Sequence, residues 1–433
     1  MSDVWPIGTT RNTGGVLTIG GVSLVDIAQA YGTPTYIYDE ATLRHSMSSI
    51  RDAFASVLPS SRVVYAGKAF LTSALVPMLV EEGLGLDAVS GGELFVGLRA
   101  GMPPERLSLH GNNKSIDELR MAIEAGIGKI IVDNFDEIEM LRELCGDLDR
   151  PITVLLRLNP GVDVHTHRKI STGVVDSKFG LPIAGGQAER AVQLLATTRG
   201  VHLAGYHAHI GSQLFDTDGF TDAIDEMLAF AARMKDDHGV EMEQLSPGGG
   251  LGIAYVDTDD PLAVAEWAKA IADAITAGCE RHGLPVPIVT VEPGRSISGR
   301  AGVALYEVGT RKEIPGVRTY VSVDGGMADN IRPALYEAVY TASLANRDGA
   351  GETERVTIAG KYCESGDILI EDISLPTLKR GDLLAVPAAG AYCMAMASNY
   401  NMALRPAIVL VGEGHIRVIR RRETLEDLVR LDQ

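Results

Sequence analysis

An α/β architecture is predicted: a (β/α)8, TIM-like barrel with a second, mainly β domain. Three observations predict it. Eight short apolar runs each stop at a glycine or a reactive polar residue. Most segments between them carry the apolar spacing of helices. Beyond about Gly299 that spacing gives way to short strand-like runs punctuated by Gly and Pro.

The eight runs are Arg62–Gly67, Leu84–Val89, Arg106–His110, Lys129–Val132, Ile152–Leu158, Leu203–His209, Glu243–Ser246 and Pro287–Val291. Several are continuous and β-branched, as expected of strands covered on both faces. Parallel strands need crossover connections, and eight such units close a barrel whose active site lies at the C-terminal strand ends. Those ends read Lys68, Asp87, His110, Asp133, Asn159, His209, Gly248–Gly250, and Glu292 with Arg295.

The first expected helix, Leu71–Glu82, is stopped by Gly83. Ser115 with Glu118 three residues on reads as a capping box opening another. Phe135–Leu144, Ala188–Thr197, Gly219–Lys235 and Leu262–Arg281 continue the series. Pro160–Pro182 is the exception, a long insert containing HTHRKISTG and DSKFG; such loops are usually functional or disordered. The second domain is expected from Val303–Gly309, Thr319–Val323, Arg355–Ala359, Leu383–Pro387, Ala407–Val411 and Ile416–Arg420. Val16–Ile19 and Thr35–Asp39 are expected to join it. This places the barrel at residues 40–298 and the β domain at 299–433, completed by 1–39.

With 433 residues the chain is long enough for two domains, and 45% hydrophobic content supports large cores. A net charge of −18 argues against a nucleic-acid partner. The basic run Arg420–Arg422 reads as a solvated surface. Four cysteines in so long a chain make no disulfide framework, and their spacing is not that of a zinc site, so no metal is expected. No apolar run approaches the roughly 20 residues of a membrane span, and the first residues lack a signal-peptide core. A cytoplasmic protein with no membrane partner is the expectation.

Several strand ends carry chemistry. Lys68 follows a strand expected to be buried, where poor solvation favours the neutral amine that a Schiff base requires; a lysine there is also commonly structural. Gly248-Gly249-Gly250 follows the seventh run and Glu292-Pro-Gly294-Arg295 the eighth, the loops that frequently bind phosphate in barrels. The glycines equally suit a tight corner. Ser212 of HIGSQ is a further phosphate donor. His209 is suited to stack on a flat ring, or to be a satisfied core histidine. Glu292 is suited to a protonated ring nitrogen in an electron-sink cofactor, or to an ion pair with Arg295. In the β domain Arg332 and Tyr336 lie one helical turn apart, and the arginine can grip a carboxylate. Cys363-Glu364-Ser-Gly-Asp367 sets a thiol beside carboxylates in a polar loop, and Tyr392 offers a phenol.

Together these strings resemble the fold-type III (alanine racemase-like) pyridoxal-phosphate decarboxylases. The resemblance runs through YAGKA, SGGEL, HGNNKS, RLNPGVDVHTH, TGVVDSKFG, HIGSQ, SPGGGLGI, EPGRSI, VDGGMADNIRPALY, CESGD and GAYCMAMASNYN. HGNNKS, the HTH loop and CESGD place it in the diaminopimelate branch rather than the ornithine or arginine branches. The resemblance implies pyridoxal 5'-phosphate as cofactor, carried on Lys68. His209 would stack on its ring and Glu292 face its nitrogen, with Asp87, Ser212, Gly249, Gly250, Gly294, Arg295 and Tyr392 in the cofactor site. Arg295, Arg332, Tyr336, Glu364 and Tyr392 would bind substrate, and Cys363 would deliver a proton. It also implies a homodimer with shared sites, Cys363 and Glu364 coming from the partner subunit. The implied reaction converts meso-2,6-diaminopimelate to lysine and CO2, the last step of lysine biosynthesis. The alternatives are decarboxylation or racemisation of a related amino acid on the same fold, and a non-catalytic cofactor-binding protein. Phe70 and Ala397 stand where many relatives have Asn and Ser; Cys393 has no role assigned by sequence.

Overall fold

The computed structural model describes residues 2–146, 148–162, 177–349 and 352–433. Two units are distinguished: Met47–Gly252 with Pro261–Gly294, and Met1–Ser46 with Ile253–Asp260 and Arg295–Gln433.

The first unit is a closed parallel barrel. Its strands are β1 (Arg62–Ala66), β2 (Gly85–Ala88), β3 (Leu107–Leu109), β4 (Lys129–Val132), β5 (Ile152–Asn159), β6 (Val201–His207), β7 (Gln244–Gly248) and β8 (Ile288–Val291). Each pairs in parallel with the next, and β8 returns to β1 through Thr290 opposite Arg62 and Val291 opposite Val63. All eight predicted strands are present, most with ends shifted by one to a few residues. β6 stops at His207, so His209 lies in the loop beyond it. The helix predicted from Leu71 begins only at Leu75, because Gly67–Ala69 first winds a 3-10 turn. The capping box is formed: Ser115 Oγ accepts from Glu118 N at 3.2 Å, and the Glu118 carboxylate accepts from Ser115 N at 2.9 Å. The HTHRKISTG string lies outside the described residues.

Side chains alternate along a strand, so one face of each barrel strand fills the interior. Lys129 of β4 bonds Gln244 of β7 at 2.9 Å, and Thr290 of β8 lies 3.4 Å away. Those strands do not neighbour β4, so the bonds cross the inside near the N-terminal end. Ile131, Leu155 and Ala204 form the apolar layer above. The next inward positions are polar again, and they make the site.

The second unit is built on an antiparallel-rich sheet in the order Ile368–Pro376, Thr353–Ala359, Arg318–Val323, Gly302–Ile314, Thr35–Asp39, Ala407–Gly412, His415–Arg420. Leu383–Val386 pairs with Gly302–Ile314 and carries Ser343–Leu344 on its other edge. Thr35–Asp39 joins this sheet as expected, beside Gly302–Ile314 and Ala407–Gly412. The other N-terminal strand lies in the same unit but in a different sheet. Leu17–Ile19 pairs with Thr10–Arg11 and Val22–Ser23 in a small sheet of its own. Leu17, Ile19, Leu24 and Ile27 are buried in one cluster with Ile37, Val303, Leu305, Ala385, Val409 and Val411, which forms the core of this unit. Among the described helices, none is long and apolar enough to cross a membrane.

Candidate active site

The C-terminal end of the barrel is a buried polar network centred on Glu292, just after β8. One oxygen, Oε1, accepts from Ser246 Oγ of β7 at 2.7 Å, and Oε2 lies 3.0 Å from His207 Nε2 of β6. His110, after β3, sits edge-on to His207 with ring centroids 5.0 Å apart. Its Nε2 is 3.2 Å from Asp87 Oδ1 of β2 and 3.9 Å from Glu292 Oε1. Five strands thus send one side chain each into one cluster.

The electrostatics separate the two acids. Burial alone would raise Glu292, but the imidazoles of His207 and His110 and the Ser246 hydroxyl hold it well below the ordinary carboxylate range. Asp87, desolvated and facing the Glu292 charge, is pushed well up. Of two neighbouring carboxyls, Asp87 is driven towards its neutral form and Glu292 towards its ionised form. Burial also pushes His110 down to about 4 and lowers His207, so both rings are neutral at ordinary pH. Two imidazoles and a carboxylate with donor atoms within 4.8 Å have the composition of a metal site. Here Glu292 is already bonded by Ser246 and His207, while His110 Nε2 stands 3.9 Å from it without a hydrogen bond.

Lys68 corrects one expectation. It is solvent-exposed, because it stands on the 3-10 turn beyond β1 rather than within the strand end. It still belongs to the cluster: its charge reaches Asp87, Glu93, His110 and His209. His209 is half-buried, and desolvation with the Lys68 and Arg157 charges lowers it well below the usual histidine range. Its Nδ1 is 3.4 Å from Gly249 N.

The glycine turn is built for close approach. Gly248 and Gly250 have φ of 80° and 123°, and a Cβ on Gly249 would stand 2.1 Å from the Glu292 carbonyl. A Cβ on Gly294 would press on Ala66 and Ala69, the residues flanking the Gly67–Lys68 turn. An amine, a flat-ring partner, an ionised buried acid and side-chain-free backbone turns are the groups that pyridoxal phosphate requires. The residues fit that cofactor.

Under this layer the HGNNKS and β4 loops are tied by a buried ion pair. Lys114 Nζ bonds Glu137 Oε1, Gly111 O and Ile131 O at 2.7, 2.8 and 2.7 Å. Asn134 caps the following helix and bonds Asn112 O at 2.9 Å. The motif that marks the branch therefore serves at least partly as a clip.

The β unit holds the remaining candidates. Arg332 opens the helix Arg332–Tyr336, is buried, lies 4.6 Å over the Tyr255 ring and bonds the Tyr340 hydroxyl. Tyr336 is half-buried one turn on. Arg295, also buried, donates to Tyr255 Oη at 2.5 Å and lies 4.9 Å over the Tyr392 ring. Tyr392 takes a φ of 62°. Cys393, unassigned by sequence, is buried beside this group, with Sγ 3.5 Å from Tyr340 Oη and 3.4 Å from Asn330 Oδ1. Cys363 and Glu364 are exposed. Cys363 N donates to Asn401 Oδ1 at 3.1 Å, and Tyr400 Oη bonds the Glu364 carboxylate. Asp367 braces the loop, accepting from Tyr362 N at 2.8 Å and Met327 N at 2.7 Å.

Comparison with known proteins agrees with this geometry. A profile described as the pyridoxal binding domain of pyridoxal-dependent decarboxylases matches residues 41–299. The diaminopimelate decarboxylase of Bacillus subtilis is 50% identical over 98% of this chain and 97% of its own length. The chain belongs to the diaminopimelate decarboxylase family. The Mycobacterium bovis diaminopimelate decarboxylase is 45% identical over 99% of this chain and 98% of its own. Among solved structures, a diaminopimelate decarboxylase from M. jannaschii superposes with a TM-score of 0.92 at 34% identity, covering 98% of this chain and 97% of that one. A second structure of the M. jannaschii diaminopimelate decarboxylase, in complex with L-lysine, gives 0.90 at 33% over the same shares.

For this family member the sequence reading missed His207, His110 as a partner of Asp87, and Ser246. Their signal is period two: His207 precedes His209, Ser246 precedes Gly248, and both face inward with Glu292.

Proposed function

We propose that this chain is a pyridoxal-phosphate-dependent lyase that releases CO2 from meso-2,6-diaminopimelate to leave L-lysine. The observation that carries this reading is the ionised Glu292 held among neutral imidazoles beside an exposed lysine at the barrel's C-terminal end. The cofactor, when bound, supplies an electron sink for the pair left by the departing carboxylate. Lys68 would hold it covalently, His209 would lie on its ring, and Glu292 would keep its ring nitrogen protonated. Asp87 would stand behind Glu292. Backbone N–H groups at Gly249, Gly250 and Gly294, with Ser212, Arg295 and Tyr392, would take its phosphate.

Substrate recognition falls to Arg295, Arg332, Tyr336, Glu364 and Tyr392. A distal centre carrying both an ammonium and a carboxylate needs an acid and an arginine, which Glu364 and Arg332 supply. Cys363 would place a proton on the carbon that has lost CO2. Cys363 and Glu364 lie on a polar loop open to water in the single chain. Proton delivery to a carbanion needs water excluded, so the reading includes a homodimer in which the partner's copy of this loop completes each site. The place of action is the cytoplasm.

The test is borohydride treatment of the loaded protein, peptide mapping, and assay of CO2 and lysine from meso-diaminopimelate. A pyridoxyl label on Lys68 and stoichiometric lysine are expected. An unlabelled Lys68, or CO2 release from a different amino acid only, overturns the reading.

A further inference from the structure

We propose that His207 and Ser246 form a two-point clamp on the Glu292 carboxylate, with His207 the positioning residue for the reaction. The inference rests on the reading that Glu292 serves the cofactor's ring nitrogen, and it adds what fixes that acid in place.

Glu292 stands at the end of the last strand, where a free carboxylate side chain has several rotamers. Here each oxygen has its own donor, from a different neighbour: the Ser246 hydroxyl at 2.7 Å and the His207 ring at 3.0 Å. Each oxygen keeps a further lone pair, so the clamp leaves the carboxylate able to accept from a third group. His207 is itself immobile. It is 1% exposed, its ring meets the edge of His110, and its Nδ1 has no hydrogen-bond partner among the described residues. The ring therefore has one useful proton, on Nε2, and it points at Glu292. A neutral donor orients the acid without neutralising it, whereas a lysine or arginine there would compete with the ring nitrogen for the same charge. Burial keeps His207 neutral. The other ionisable groups whose charges reach Glu292 are Asp87, His110, Lys129, Arg157 and His209. Asp87, whose carboxyl burial and the Glu292 charge push up, lies 3.2 Å from His110.

The experiment compares His207→Phe, His207→Gln and Ser246→Ala with wild type and Glu292→Gln. In cofactor-free protein labelled with carbon-13 at glutamate carboxyls, Glu292 should protonate at least one pH unit higher in His207→Phe than in wild type. In loaded enzyme, kcat should fall about tenfold to a hundredfold with KM nearly unchanged. The acid limb of the kcat profile should move up in the same direction as the carboxyl titration. His207→Gln, whose amide also donates, should recover most of both. Ser246→Ala should show the same pattern more weakly, and it covers the case in which His207→Phe fails to fold. If the carboxyl titration and acid limb of the folded variants match wild type, the clamp is refuted. It is also refuted if His207→Gln behaves like His207→Phe. If instead the titration shifts while Glu292→Gln turns over like wild type, the clamp stands and the role of Glu292 at the ring nitrogen falls.

Discussion

Glu292 in the barrel and Asp329 in the β unit are both buried carboxylates, and their pKa values are moved in opposite directions. Glu292 accepts from an imidazole and a hydroxyl and is held ionised. Asp329 accepts from Tyr306 Oη at 2.6 Å, Tyr36 Oη at 3.1 Å and Gly326 N at 2.9 Å, yet burial still pushes it up to about 6. At Asp329 the bonds from two phenols and a backbone N–H do not offset burial, whereas at Glu292 the neighbouring imidazoles and the Ser246 hydroxyl do. The barrel instead gathers opposite charges inside, as in Lys114–Glu137 and Arg157–Asp133. In the β unit, the exposed thiol and acid of the Cys363 loop lie outside, steadied by backbone bonds to Asp367 and Asn401. Glu137 and Asp133 each sit beside a cation, whereas Glu292 is the acid proposed to use its charge in the reaction.

The largest expected effect breaks the barrel's side of this contrast. Lys114→Met leaves Glu137 buried without its cation and two carbonyls without a donor. Stability in chemical denaturation should fall by about 3–5 kcal/mol, and adding Glu137→Leu should recover much of it. A loss below 1 kcal/mol would mean the pair is not buried as described.

The next sharpens the β side through pH. Asp329 has a folded value raised to about 6 from an ordinary 3.8, with burial the main cause. The folded state therefore binds a proton that the unfolded chain has already released. That stabilisation is complete below about pH 4 and is lost as pH rises towards 6 and beyond. The stability difference between wild type and Asp329→Asn should shift by about 2.4 kcal/mol between pH 4 and 7, against wild type at the higher pH. A flat difference would show that the phenols hold the acid ionised after all.

The smallest concerns the exposed loop. Asp367→Asn replaces one of two accepting oxygens with an amide donor that faces a backbone N–H. The cost should be about 1–3 kcal/mol, local to the loop. Hydrogen exchange should quicken at Tyr362–Gly366 while the barrel amides and the absorbance of bound cofactor stay unchanged. Equal loosening of the barrel would deny that the two regions are independent in this respect.

Much of the barrel was legible because its strands are continuous apolar runs ending in punctuation. Lys129–Val132 matches its strand residue for residue. Ile368–Pro376 was not legible: Glu371 and Asp372 interrupt its alternation, and Asp372 takes a φ of 51° beside a register shift. The Leu17–Ile19 strand was seen but not its partner, since an alternation does not say which edge it will meet. In the site, residues next to glycine motifs stood out, whereas His207 and Ser246 sit inside apolar strands and look like core. The exposure of Lys68 was missed because a 3-10 turn directly after a strand leaves no mark in composition.

From the order of its residues alone the chain specified a parallel eight-stranded barrel, the end at which its chemistry lies, and the family it joins. Those follow from local periodicity and short motifs, which neighbouring residues settle among themselves. Which way the two acids Asp87 and Glu292 are shifted, and which donors meet Glu292, emerged only when five strands closed on one another. Desolvation and hydrogen-bond partners at such a point come from residues far apart in the chain, and only closure of the barrel brings them together.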